Sequence, residues 1–149
     1  MPRVMIVEDD MTILSNLSQL LQLSGLDVVE AHDGRMALDL LLAASSIPGA
    51  LPRMIVSDLM MPNMDGFELL HAVRNTAELH ALPFVLLSAR SDASDLQHAF
   101  SLGASDYLIK PFEVDQLIDV IRYQMSQVDH QEANGPGKDV KAATDFFLE

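Results

Sequence analysis

The feature that most constrains this chain is an alternation of short, continuous apolar runs with longer stretches of helical periodicity. Val4-Met5-Ile6-Val7 reads as a strand, after which Ile13, Leu14, Leu17, Leu20, Leu21 and Ser24 follow helical spacing to a stop at Gly25. Val28-Val29 anchors a second strand, Asp33-Gly34 a turn, and Met36, Ala37, Leu40, Leu41 and Ala44 a second helix. Residues 45–53 carry the Ser, Pro and Gly of a loop. Met54-Ile55-Val56 is the third strand, and Phe67 to Arg74 the third helix. Phe84 to Leu87, opened by Pro83, is the fourth strand; Leu96, Ala99, Phe100 and Leu102 mark its helix, stopped at Gly103. Tyr107 to Ile109, then Val114, Leu117, Ile118, Ile121 and Met125, complete the fifth pair. Strands that are continuously apolar rather than alternating need cover on both faces, which means a parallel sheet between helices. Right-handed crossovers then favour a doubly wound α/β sandwich.

At 149 residues, 49% apolar and 21% charged, the chain has the length and composition of one globular domain with a full core. It has no cysteine, so neither a disulfide framework nor thiol chemistry is available, which fits a reducing cytosol. The strand pattern begins by Arg3, leaving no room for a signal peptide, and no apolar run approaches the ~18 residues of a spanning helix. A cytoplasmic protein without membrane insertion is expected. The net charge of −13 argues against direct contact with nucleic acid, whose phosphates need Lys and Arg. Near residue 128 the character changes. Residues 1–127 read as one domain, and 128–149 as a polar, Gly/Pro-bearing linker or tail. Val140, Ala143 and Phe147 can line one side of a short docking helix there, but the segment is too short for an output domain.

In open parallel sheets, sites form outside the carboxyl ends of the strands. Strand 1 delivers Glu8-Asp9-Asp10 there, strand 3 Asp58, strand 4 Ser88-Ala89, and strand 5 Lys110-Pro111; strand 2 gives only Ala31-His32. Lys110 is the single lysine among the seven basic residues before residue 138. Asp is a poor strand residue and costly to bury unpaired, so Asp58 is either a turn residue or a functional one. Crowded carboxylates hold protons unless a cation intervenes, and without Cys or clustered His the cation is better taken as Mg²⁺ than as zinc. Such a site suits phosphoryl transfer. Lys110 would pair a phosphate oxygen, Ser88 donate a hydrogen bond, and Asp58 act as nucleophile. Asp10 reads as charging the first turn of helix 1. Met60, Met61 and Met64 read as loop packing rather than a soft-metal cluster. His32, His71, His80, His98 and His130 show no paired ligand spacing and read as incidental.

Four segments, "VMIVEDD", "IVSDLMMPNMDG", "LLSA" and "GASDYLIKPF", stand in the order and spacing of response-regulator receiver domains of two-component signalling. Residues 3 to about 126 resemble that family. The resemblance implies a flavodoxin-like five-stranded sheet in the order 2-1-3-4-5. It implies Asp58 as phosphoacceptor, Glu8 and Asp9 as the acidic pair for Mg²⁺ (or Mn²⁺), and the Met60 main-chain carbonyl as a further ligand. Ser88 and Tyr107 become the switch pair, and Lys110 the phosphate partner across a cis bond to Pro111. Ser at 88, where Thr is commoner, and Glu at 8 are variants the family tolerates; Met60 and Arg90 hold positions that tune dephosphorylation. The phosphodonor would be a sensor histidine kinase or phosphotransfer protein, with the receiver catalysing only its own phosphorylation and dephosphorylation. The face of helix 4, strand 5 and helix 5 would carry the signal, and it or the tail could form a homodimer; Val120 lacks the arginine typical of one dimer mode. Two other readings stand beside this. A haloacid-dehalogenase-type phosphatase also uses an aspartate nucleophile, but carries a second acid where Met60 stands. A degenerate receiver would act only as a docking platform.

Overall fold

Five strands, β1 (Arg3–Val7), β2 (Asp27–Ala31), β3 (Met54–Asp58), β4 (Phe84–Ser88) and β5 (Asp106–Ile109), form one sheet in a computed structural model that describes residues 3–127. They alternate with α1 (Met11–Leu23), α2 (Gly34–Ser45), α3 (Gly66–Arg74), α4 (Ala93–Ser101) and α5, described over residues 114–127. All four pairings are parallel and the order is β2-β1-β3-β4-β5, the flavodoxin-like arrangement expected. Every residue of β3 and β4 is buried, whereas β2 and β5, at the edges, are only partly so. The tail over 128–149, where a short docking helix is expected and where His130 stands, lies outside the described residues.

Pleating divides the core in two. Met5, Val7, Ile55, Phe84 and Leu86 face α2, α3 and α4 through Leu41, Leu69, Leu70, Val73 and Ala99. Val4, Ile6, Met54, Val56 and Leu87 face α1 and α5 through Leu14, Leu21, Leu117 and Ile121. Each such side chain removed from water contributes about 1.5–3 kcal/mol, set against the entropy of ordering the chain.

The helices depart from the sequence expectation in detail. In α1 the inward stripe is Leu14, Ser18 and Leu21, while Ile13 and Leu20 are 42% and 40% exposed. In α4 only Ala99 is buried and Phe100 is half exposed, because an edge strand offers this helix little sheet to cover. Asp33 starts a helix rather than a turn: its side chain accepts the Met36 amide at 2.7 Å, and α2 begins at Gly34. Asp65 caps α3 reciprocally, its carboxylate taking the Glu68 amide while Glu68 takes the Asp65 amide. Asp10 stands just before α1 rather than in its first turn, and caps it by accepting from the Thr12 and Ile13 amides.

Candidate functional site

Strand register assembles the site. Val7 lies opposite Ser57, so Glu8 emerges beside Asp58; Asp58 lies opposite Leu87, one step before Ser88; and Ser88 lies opposite Ile109, one step before Lys110. Alternation along the strands then sorts these residues. Glu8 and Asp58 share the parity of the α1/α5 face, with Lys110 in step, whereas Ser88 and Tyr107 share that of the α4 face.

On the first side, the Lys110 Nζ donates to Asp58 Oδ1 at 2.7 Å and lies 3.6 Å from Glu8 Oε1. Asp58 and Glu8 are buried, while Asp9 is exposed. One carboxylate oxygen from each of Glu8, Asp9 and Asp58 lies within 4.8 Å of the others. Glu8 Oε2 accepts the Asp10 amide at 3.2 Å, but Glu8 Oε1, fully buried, has no hydrogen-bond partner among the described residues. Burial pushes the Glu8 carboxyl up to about 7, the Asp10 amide opposing the rise and the charge of Asp58 adding to it. Burial works against the Lys110 charge too, yet the hydrogen bond and charge of Asp58, with Glu8, outweigh it and raise the ammonium's pKa. One ammonium faces three carboxylates. The deficit equals the charge of a divalent cation, and an all-oxygen donor set with one orphaned buried oxygen fits a hard ion such as Mg²⁺.

On the second side, Ser88 is buried and its Oγ accepts the Arg90 amide at 3.0 Å, which leaves its own hydrogen to give. Tyr107 is buried rather than an exposed edge aromatic, and its hydroxyl donates to the Arg90 carbonyl at 2.9 Å. The main chain of Arg90 thus links the two residues. The Arg90 side chain lies 3.6 Å from Asp95 of α4. The Lys110–Pro111 peptide is cis.

Other residues fall differently. Met61 and Met64 pack on the core of the α2–α4 side, as loop packing requires, but Met60 is 56% exposed. His98 is not wholly incidental, since its ring meets that of Phe67 edge-on with centroids 4.6 Å apart. His32 stands apart from the acidic pocket, 3.6 Å from Asp33. The linking role of Arg90 has no signal in the sequence, because it uses groups that every residue possesses.

Comparison with known proteins places the chain in a family. Residues 4–122 match the family profile described as the response regulator receiver domain. The chain is 39% identical over 122 residues to the transcriptional regulatory protein CpxR of Escherichia coli K12, covering 82% of this chain and 48% of that protein. It is 36% identical over 131 residues to the response regulator MprA of Mycobacterium bovis BCG, covering 88% and 54%. The chain therefore spans about half the length of the curated relatives it matches. Among solved structures, the chemotaxis protein CheY4 of Vibrio cholerae is 32% identical with a TM-score of 0.72, over 83% of this chain and 98% of that one.

Proposed function

The chain belongs to the response-regulator receiver family, and from that premise we propose that Asp58 is its phosphoacceptor, charged by a sensor histidine kinase or phosphotransfer protein. The observation that carries this reading is the 2.7 Å contact of Lys110 with Asp58 beside the carboxylates of Glu8 and Asp9. An Asp58 carboxylate oxygen attacks phosphorus, the bond from phosphorus to the donor's imidazole nitrogen breaks, and that nitrogen keeps the electron pair. Lys110 stays against the phosphoryl group as its charge grows, and Ser88 donates its hydroxyl hydrogen to a phosphoryl oxygen. Mg²⁺, or Mn²⁺ in its place, would be held by Glu8, Asp9, Asp58 and the Met60 carbonyl, and when bound it neutralises charge on the transferring group.

The same chemistry supplies the switch. When Ser88 turns toward a phosphoryl oxygen, its hold on the Arg90 amide is released, and the Arg90 carbonyl that Tyr107 binds is free to move. That biases an existing equilibrium of the face made by α4, β5 and α5, read by a downstream effector or a second copy. The shallow anchoring of α4, with Ala99 its single buried side chain and no side-chain cap at Asp92, supports its place in that switch. Val120 packs partly buried against the α1/α5 core, so a homodimer at this face would form without an arginine there.

A phosphatase reading lacks its second acid, since Met60 stands two residues after Asp58. The chain turns over only itself. Incubation with Mg²⁺ and phosphoramidate should add the mass of one phosphoryl group to the wild type and none to Asp58→Asn. Equal labelling of the variant would refute the assignment, and failure of the wild type to bind Mg²⁺ would favour a docking platform. Among the described residues no helix is long and apolar enough to cross a membrane, and a cytoplasmic setting accords with a kinase donor.

A further inference from the structure

Gly34, the first residue of α2, has no positive φ, so its own backbone conformation does not ask for glycine. Its surroundings do. A Cβ built there would lie 2.5 Å from the Met64 carbonyl oxygen, 2.9 Å from Met64 Cγ and 3.0 Å from Met64 Cβ. The loop between β3 and α3 therefore sits directly on the start of α2. At its base this loop is closed by the Gly66 amide, which donates to the Leu59 carbonyl at 2.8 Å. At its tip the Met64 amide donates to the Pro62 carbonyl at 2.8 Å, a three-residue turn centred on Asn63 with a φ of 69°. Met60 stands between base and tip. Burial decides which side of the contact is the wall. Gly34, Ala37 and Leu41 are buried, and the Asp33 carboxylate holds the helix start through the Met36 amide at 2.7 Å. Met60, Pro62 and Asn63 are exposed, so α2 stays and the loop takes its height from it.

We propose that Gly34 is a positioning residue for the cation site: by letting the loop sit on α2 it fixes the Met60 carbonyl, and so makes the site select Mg²⁺ over Ca²⁺. The inference rests on Glu8, Asp9, Asp58 and the Met60 carbonyl being the cation's ligands. The three carboxylates stand on side chains that can rotate to suit an ion. The main-chain carbonyl cannot, and is placed only by placing the loop. Mg²⁺ demands near-octahedral oxygens at about 2.0–2.1 Å, whereas Ca²⁺ accepts roughly six to eight oxygens at about 2.3–2.6 Å in looser geometry. A loop lifted off α2 by a methyl group therefore harms the smaller ion more. Gly34 touches neither the ion nor the phosphoryl group; it acts through Met64 and the loop that Met64 shares with Met60.

The test follows backbone amide NMR signals while Mg²⁺ and, separately, Ca²⁺ are titrated into the wild type and Gly34→Ala at pH 8. Urea unfolding in chelator checks that the variant is folded. Gly34→Ala should lose about ten-fold in Mg²⁺ affinity and no more than about two-fold in Ca²⁺ affinity, so the preference for Mg²⁺ falls roughly five-fold. Before any cation is added, the amides of residues 60–65 should be displaced in the variant while those of α2 beyond Ala37 hold their positions. If Gly34→Ala does not fold, Met64→Ala decides: it removes the seated side chain without creating an overlap, and should lower the same preference. Equal losses for the two ions, unchanged affinities, or a displacement confined to α2 makes Gly34 a packing residue only and overturns the inference, with the cation site left standing. A wild type that binds neither ion overturns the cation reading and the inference with it.

Discussion

Burial lifts the Glu8 carboxyl to about 7, against the pull of the Asp10 amide and with the help of Asp58. A cation held by that carboxylate needs it ionised, so binding below this pH must release a proton. The apparent Mg²⁺ affinity should therefore rise by up to about ten-fold per pH unit below 7 and level off above it. Calorimetric titration in buffers of different ionisation enthalpy counts the proton directly, and Glu8→Gln should abolish its release while weakening binding. A release of protons that the variant retains would place the titration elsewhere. At this scale the sequence is informative where chemistry is written in residue type. Glu8, Asp9, Asp58 and Lys110 are legible because few structural needs put acids and the sole early lysine at neighbouring strand ends. The path from Ser88 to Tyr107 is not, since it runs through the amide and carbonyl of Arg90. Nor does Met60 announce that it differs from Met61 and Met64, because exposure is decided by the loop's course and not by the methionine itself.

Among the elements, the junction of β3 with α3 is where backbone packing meets the site. A Cβ built on Gly66 would lie 2.6 Å from the Asp58 carbonyl oxygen and 2.9 Å from the Leu59 Cα, both main-chain atoms that cannot step aside. The Gly66 amide meanwhile donates to the Leu59 carbonyl at 2.8 Å. Gly66→Ala should therefore cost about 1–3 kcal/mol in urea unfolding and slow labelling of Asp58, because relief of the overlap displaces the end of β3. A variant as stable and as reactive as the wild type would show that the junction yields easily. Sequence pattern finds all five helices, but it does not give the width of their inward stripes. The periodicity of α1 counts Ile13 and Leu20 among its apolar positions, and the sheet accepts only Leu14, Ser18 and Leu21 at full depth. In α4 the apolar positions are legible and the burial is not, since burial depends on how much sheet lies beneath. Asp33-Gly34 reads as a turn yet starts a helix, as the similar Asp65-Gly66 does; composition alone does not separate a cap from a turn.

For the molecule as a whole, the buried Glu8 carboxylate opposes folding when no cation offsets its charge. The Glu8 carboxyl titrates at about 7 in the folded chain and at 4.5 in its ordinary range. Its contribution to stability is thus fully present below 4.5 and is lost as pH rises through 7, a loss on the order of 3 kcal/mol. Lys110, raised above its ordinary 10.5, gives up its contribution only above that window. In chelator, the urea midpoint should fall between pH 5 and pH 8, and Mg²⁺ should restore more of it at pH 8; Glu8→Gln should flatten the profile. A midpoint that rises over this range would contradict the electrostatics described. The parallel sheet follows from continuous apolar runs, its strand order from the resemblance to receiver domains, and together they bring residues 8, 58, 88 and 110 to one end of the sheet. The proposed chemistry puts the phosphoryl group on the Asp58 carboxylate. Borohydride reduction of the phosphorylated protein converts an aspartyl phosphate to homoserine, and peptide fragmentation then locates the reduced residue. Homoserine is expected at position 58 alone, whereas reduction at Glu8 or Asp9, or phosphate found on a serine, would rule Asp58 out as the phosphoacceptor.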